Sequence, residues 1–209
     1  MHLTAPAPDL AIVCASRQHG ETGVIVRLLT AEHGLVAGYV AGGRGRQLRP
    51  LLIPGNLVAA ELTARLGSQL PSARLELVQS RGPWLTEPLP AAAISWVMSL
   101  TALSLPEHQA HPELFAALSG LLDAICSAPS ARGWAPGLLA YEALLLRELG
   151  FGTPVSRPES DDWPSLLATF DRLGAALARY PLAERRSDVM AARAMLRERL
   201  GKIEGQIRG

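Results

Sequence analysis

The chain has 209 residues, of which 48% are hydrophobic and 19% charged, with a net charge of +1. That composition supports a folded core in one large or two small domains and excludes a disordered chain. Near-neutrality excludes a molecule-wide attraction for nucleic acid, so any such role has to rest on local basic patches.

The first residues, "MHLTAPAPDLAIV", lack the charged region and long apolar run of a signal peptide. No segment approaches the ~18 uninterrupted apolar residues of a membrane span. The expectation is a cytoplasmic protein without a membrane partner. Cys14 and Cys126, the two cysteines, stand far apart in apolar surroundings and read as reduced core thiols. Lys202 is the only lysine, which a GC-rich genome explains without a functional cause.

Five short β-type segments come first: "DLAIVCASRQ", "GVIVRLLTAEHG", "LVAGYVAGG", "GNLVAAELTAR" and "ARLELVQSRG". Each is rich in Val, Ile and Leu and is bounded by Gly, Pro, His or Glu. In "ARLELVQ", Leu75, Leu77 and Gln79 alternate with Arg74, Glu76 and Val78. Five strands in so short a stretch point to a small closed barrel, because closure removes exposed edges. Between the third and fourth strands lies "VAGGRGRQLRPLL", whose Arg44, Arg46 and Arg49 read either as solvated loop charges or as a phosphate-binding finger. In the second reading Gly42, Gly43 and Gly45 let backbone amides approach a phosphate while the guanidinium groups donate forked hydrogen bonds.

Near "SRGPWLTEPLP" the pattern turns helical. Helices are predicted from about Ala91 to Leu105, Pro112 to Cys126 and Pro136 to Leu149, the last closed by Gly150 and Gly152. A fourth starts from Asp161 or Asp162 with Pro164 in its first turn, and a fifth from Ser187 or Asp188. The fold class is therefore α+β in two domains: a barrel over residues 1–81 and a helical domain over 82–209.

Enzyme apparatus is missing from the pattern. His108 and His111 in "HQAH" have no third ligand at a metal-site spacing and read as two exposed histidines; His19 and His33 read as turn residues. "GGRG" lacks the Lys-Ser/Thr ending of a P-loop and does not fit the dinucleotide fingerprint. With no nucleophile constellation, a hydrolase is disfavoured. Small barrels of the oligonucleotide-binding (OB) kind bind single strands on one face and through neighbouring loops. Here Tyr39 is the sole aromatic ring on the strands and Trp84 lies just beyond, so binding is expected to rest on phosphate charge, with little base preference and a strong salt dependence.

Two segments carry a resemblance. "AIVCASRQHGETGVIVRLLTAEHGLVAGYVAGGRGRQLRPLLIPGNLV" resembles the N-terminal region of the bacterial RecO family of DNA repair and recombination proteins, through its "R-x-x-G-E", "L-L-T-x-E-x-G", glycine-led basic loop and "L-x-P-G-N". "YEALLLRELGFG", Tyr141 to Gly152, is similar to the signature of that family's helical domain. The resemblance implies an OB-fold barrel joined to a helical domain, no bond chemistry, no cofactor, and a recombination mediator associated with the nucleoid. Such a protein binds single- and double-stranded DNA, anneals complementary strands, and works with RecR and the single-stranded-DNA-binding protein SSB in loading RecA. By position it implies Arg44, Arg46 and Arg49 as DNA contacts, with Arg17 and Arg27 on neighbouring strands as further candidates.

Two departures shape the expectations. The four-cysteine zinc site that some family members carry has no counterpart in "GFGTPVSRPESDDWPSL", so no metal is expected. Leu139 and Ala140 stand where the family often has an arginine before the aromatic-Glu pair, so the SSB tail is expected to bind weakly, or at a rim rebuilt from Arg132, Arg147, Arg193 or Arg197. Arg193 and Arg197, with Arg186 and Lys202 nearby, also read as the solvated face of a helix that buries Val189, Ala192, Leu196 and Leu200. That reading is the favoured one. Tyr141 and Glu142 read as structural. The alternative function is a protein-interaction adaptor whose barrel has little DNA affinity.

Overall fold

The computed structural model describes residues 8–64, 67, 70–152, 162–183 and 188–207. Arg186, the candidate caps Asp161 and Ser187, and most of the cysteine-free stretch after Gly152 lie outside them. The chain divides into two units, one of Met1–Pro83 with Pro106–Phe115, the other of Trp84–Leu105 with Ala116–Gly209.

The first unit is a closed barrel in the order β1-β2-β3-β5-β4, with β1 at Asp9–His19, β2 at Gly23–Thr30, β3 at Gly34–Val40, β4 at Leu57–Thr63 and β5 at Ser72–Gln79. This is the OB-fold arrangement. All pairings are antiparallel except β3 with β5, which meet in parallel at Tyr39 and Ser72. Alternation builds the interior: Val24, Val26 and Leu28 of β2, Val36 and Val40 of β3, Val58 and Ala60 of β4, and Ala73 and Leu75 of β5 form one buried cluster with Ala11 and Val13 of β1. On β5 the alternation fades after Leu75, since Leu77 and Val78 are both exposed.

The register of β1 shifts between Val13 and Ala15. Before the shift odd-numbered residues face inward; beyond it Ser16 and Gln18 pair with the interior-facing Val26 and Val24, and Arg17 pairs with Ile25. Without that bulge Arg17 would point into the barrel.

A single boundary near residue 81 does not describe the chain path, because Pro106–Phe115 belongs with the barrel. Leu35 forms a parallel bridge with Glu107, its carbonyl accepts the His108 amide at 3.0 Å, and Arg27 pairs with Glu107 at 3.0 Å. His111 is buried rather than exposed, whereas His108 is exposed.

The second unit is helical: α1 at Pro88–Ser104, α2 at Pro112–Ser127 (whose first turn groups with the barrel), α3 at Ala135–Glu148, α4 at Trp163–Arg179 and α5 at Asp188–Ile207. α1 packs on α5, and α4 on both α3 and α5. α1 begins three residues before the predicted Ala91 because Pro88 and Pro90 fit a first turn, where a missing N–H costs nothing. Its buried residues, among them Ala93, Trp96, Val97, Leu100 and Thr101, surround the helix and mark it as central. Asp162 caps α4, its carboxylate accepting the Ser165 amide at 2.8 Å. Among the described residues no helix is long and apolar enough to cross a membrane.

Candidate nucleic-acid interface

The arginine-glycine segment is a folded plug. After β3, successive turns lead into a short 3-10 helix at Arg49–Leu52. Leu52 is buried in the barrel cluster, with Leu48 and Leu51 packed against it. This i, i+3, i+4 spacing turns the three leucines toward the barrel mouth and leaves Arg44, Arg46 and Arg49 exposed on the outside. Asn56, with no exposed surface, bolts the segment down: its amide nitrogen donates to the carbonyls of Pro50 at 2.8 Å and Leu51 at 3.3 Å, and its side-chain oxygen accepts the Arg81 amide at 2.8 Å. Gly55 and Asn56 also pair with both backbone groups of Val13, at 2.8 and 2.9 Å, just before the bulge.

The phosphate-finger expectation needs one correction. The amide of Gly43 donates to Val40, that of Arg44 to Thr22 and that of Gly45 to Gly42, so these backbone donors are spent inside the fold. Gly43 itself is buried against Val24 and Leu52. The charged groups of the plug left facing solvent are its arginine side chains.

Three of the five candidate DNA contacts come together. Arg17, Arg44 and Arg49 line one groove of about 450 Å³ at the barrel mouth, with Ser16, Gln18, Val24 and Ile53. Arg44 is steadied by donation to the Glu21 carbonyl at 2.7 Å. Arg46 is exposed on the same plug outside the groove lining. Arg27 is not part of the groove; it is half-buried on β2 and paired with Glu107. Elsewhere on the barrel Asp9, Glu32 and His33 bring donor atoms within 4.8 Å of one another. His33 Nε2 lies 3.3 Å from an Asp9 oxygen, an ordinary surface contact.

The arginines predicted for the partner rim are dispersed. Arg193 is 5% exposed, and its guanidinium is committed to Glu142 and to the Phe170 carbonyl. It sits on the buried face of α5 with Leu196 and Leu200, so neither a rim nor a solvated face describes it. Arg197 makes a forked pair with Asp171 at 2.8 and 3.0 Å. Arg147, exposed at the end of α3, pairs with Glu148. Arg132 is exposed and lies 5.3 Å from the centre of the Trp163 ring.

Residues 7–81 match the sequence family described as recombination protein O N terminal, and residues 86–178 match recombination protein O C terminal. The chain belongs to the RecO family. It is similar to the DNA repair protein RecO of Rhodospirillum centenum, 44% identical over 69% of this chain and 56% of the relative. It also resembles those of Phenylobacterium zucineum, 42% over 71% and 60%, and Caulobacter vibrioides, 38% over 82% and 70%. The chain thus spans only about 60% of the first two relatives' length.

The helical unit holds a second groove, of about 550 Å³, lined by Trp84, Pro88, Leu89, Pro90, Ile125 and Trp134 among others. Glu87 and Ser130 belong to the lining as well; Arg132 follows Ala131 of the lining in the chain, and Arg199 of α5 donates to the carbonyl of Pro88. Arg199 is not among the residues singled out in the sequence, and Asn56 stands there only as the end of "L-x-P-G-N", without its bonding role. Asn56 had a signal, since an Asn after Pro-Gly at the end of a turn-rich segment is suited to bond nearby backbone; Arg199 had none beyond its charge.

Proposed function

We propose that this RecO-family chain is a DNA repair protein acting as a recombination mediator without bond chemistry. The barrel takes up single- and double-stranded DNA through its phosphates, without sequence specificity, and so favours annealing of complementary strands. The helical unit docks partners, RecR and the SSB tail, toward RecA loading. The observation that carries this reading is the convergence of Arg17, Arg44 and Arg49 on one groove, with Arg46 on the same immobilised plug. Guanidinium groups held on a rigid frame bind phosphate without first having to be ordered.

The apolar groove between Trp84 and Trp134 suits the aromatic end of an SSB tail, with Arg132 and Arg199 beside it for acidic residues. Arg193 has no part in that docking.

Salt-titrated binding of labelled single-stranded DNA tests the reading. Replacing Arg44, Arg46 and Arg49 by Ala should weaken binding about equally across sequences, because phosphates carry no base identity. The slope of log affinity against log salt should flatten by about 0.7 per lost contact, roughly 2 units for the triple variant. An unchanged slope in the folded triple variant would return these arginines to solvated loop charges. No DNA binding by the unaltered protein, with SSB-tail binding intact, would leave the adaptor.

A further inference from the structure

Beside the arginine groove the barrel wall carries an aromatic corner. Tyr39 and His19 stand with ring centres 6.1 Å apart and planes at 81°. Tyr39 is half-buried and His19 exposed. The Tyr39 ring lies across Gly23, in space that any Cβ at that position would occupy. His19 pairs with that same Gly23 across β1 and β2. The phenol therefore lies against the glycine backbone, with the imidazole nearly perpendicular to it.

The corner is continuous with the cationic groove. Arg17 pairs with Ile25, and Ile25 with Tyr39, so the three residues form one cross-strand row on the outer face. Two strand spacings put Arg17 and Tyr39 backbones about 10 Å apart. Arg44 is bonded to the carbonyls of Glu21 and Thr22, the turn between His19 and Gly23. A strand whose phosphates lie on Arg17 and Arg44 therefore brings a neighbouring base alongside the Tyr39 ring.

We propose that Tyr39, with His19 as its side wall, is a stacking seat for one unpaired nucleobase of a single strand. Stacking tolerates any base, because every base has a π-face. A duplex keeps its bases paired and stacked inside, so the seat adds affinity for single strands alone. The device gives a barrel poor in aromatics a single-strand preference that its phosphate contacts cannot supply. It rests on the proposal that the neighbouring groove binds DNA.

The test compares the unaltered protein with Tyr39→Leu and Tyr39→Phe on three probes: a fluorescein-labelled oligothymidylate, the same backbone with abasic sites, and a random-sequence duplex. Tyr39→Leu should lose roughly 5- to 100-fold in affinity for the oligothymidylate, with its salt slope unchanged and its affinity for the abasic strand and the duplex intact. Tyr39→Phe, which keeps the ring, should bind as the unaltered protein does. If Tyr39→Leu binds the oligothymidylate undiminished, the seat is refuted while phosphate capture stands. An equal loss on all three probes would make Tyr39 a structural residue and refute it too. If the unaltered protein binds none of the probes, the DNA reading itself falls and takes the seat with it.

Discussion

Arg193 of α5 and Glu142 of α3 form a forked ion pair that is closed to solvent. Arg193 Nε lies 3.1 Å from one carboxylate oxygen and Nη2 2.7 Å from the other. The Trp96 indole donates to Glu142 at 2.7 Å, and the guanidinium lies 3.6 Å from the centre of the Phe170 ring. Gly174 makes this possible, since a Cβ there would collide with the Arg193 side chain. Beside the pair, the Thr101 and Tyr141 hydroxyls share a hydrogen bond of 2.6 Å.

Removing one partner leaves the other charge buried and uncompensated, so Arg193→Ala or Glu142→Ala should each cost about 3–5 kcal/mol. Replacing both by apolar residues of similar volume should cost much less, because desolvation of the pair offsets most of its attraction. Arg193→Lys should not rescue, as an ammonium cannot make the fork. Urea unfolding of the four variants checks the order. Loss of partner binding in Arg193→Ala then reports loss of the helical unit and not of a contact.

Asn56 makes the second prediction. Asn56→Ala leaves the carbonyls of Pro50 and Leu51 and the Arg81 amide without their partner, at about 1–3 kcal/mol for each buried group left unsatisfied. Asn56→Asp should be at least as damaging, since it sets carboxylate oxygen against two carbonyls. Both should also weaken DNA binding although neither touches the arginines, because the plug that displays them loosens. Stability by urea and affinity by salt titration, measured on the same variants, test the link; a destabilised variant with unaltered DNA affinity would break it.

These two sites show how far the sequence reaches. The strands of the barrel were legible because their segments are rich in Val, Ile and Leu and bounded by turn residues; the alternation visible in "ARLELVQ" holds only as far as Leu75. Helices α2 to α4 were legible to within about two residues for the same kind of reason, periodicity bounded by proline and glycine. The bulge after Val13 was not, since an inserted residue leaves composition unchanged and shows only in the register with β2. It decides whether Arg17 faces the groove or the core. The glycine amides of the plug looked available because sequence cannot tell which carbonyls they will meet. Arg193 looked like surface because an arginine on an amphipathic helix usually is; only the tertiary placement of Glu142 and Gly174 makes its burial affordable.

Cys14 supplies a prediction in pH. Burial pushes its thiol up from 9.0 to about 12. The folded state holds that proton where the unfolded chain has lost it, so this stabilising difference is fully present below pH 9 and disappears as pH rises from 9 toward 12. Stability should fall across that window by about 1.4 kcal/mol per pH unit from this group, and Cys14→Ala should flatten the fall. At neutral pH the native thiol should resist alkylation, and more strongly than the half-buried Cys126. The zinc expectation rests on the sequence after Gly152, which contains no cysteine. Elemental analysis is expected to find no stoichiometric zinc, and chelator to leave the fold intact; one zinc per chain would overturn that.

The last prediction concerns the groove of the helical unit. An SSB C-terminal peptide should bind there, its aromatic group among Trp84, Leu89 and Trp134 and its acidic residues toward Arg132 and Arg199. Leu139 is buried and Ala140 carries no charge, so the affinity should be weak and should fall further as salt rises. Leu89→Ser should abolish binding by wetting the cleft, whereas Arg132→Ala and Arg199→Ala should each weaken it severalfold and reduce its salt dependence. Arg147→Ala should change nothing, because that side chain stands at the far end of α3, paired with Glu148. Fluorescence anisotropy of a labelled tail peptide against these four variants decides the placement. Binding that survives Leu89→Ser but is lost in Arg147→Ala would move the docking site to the end of α3.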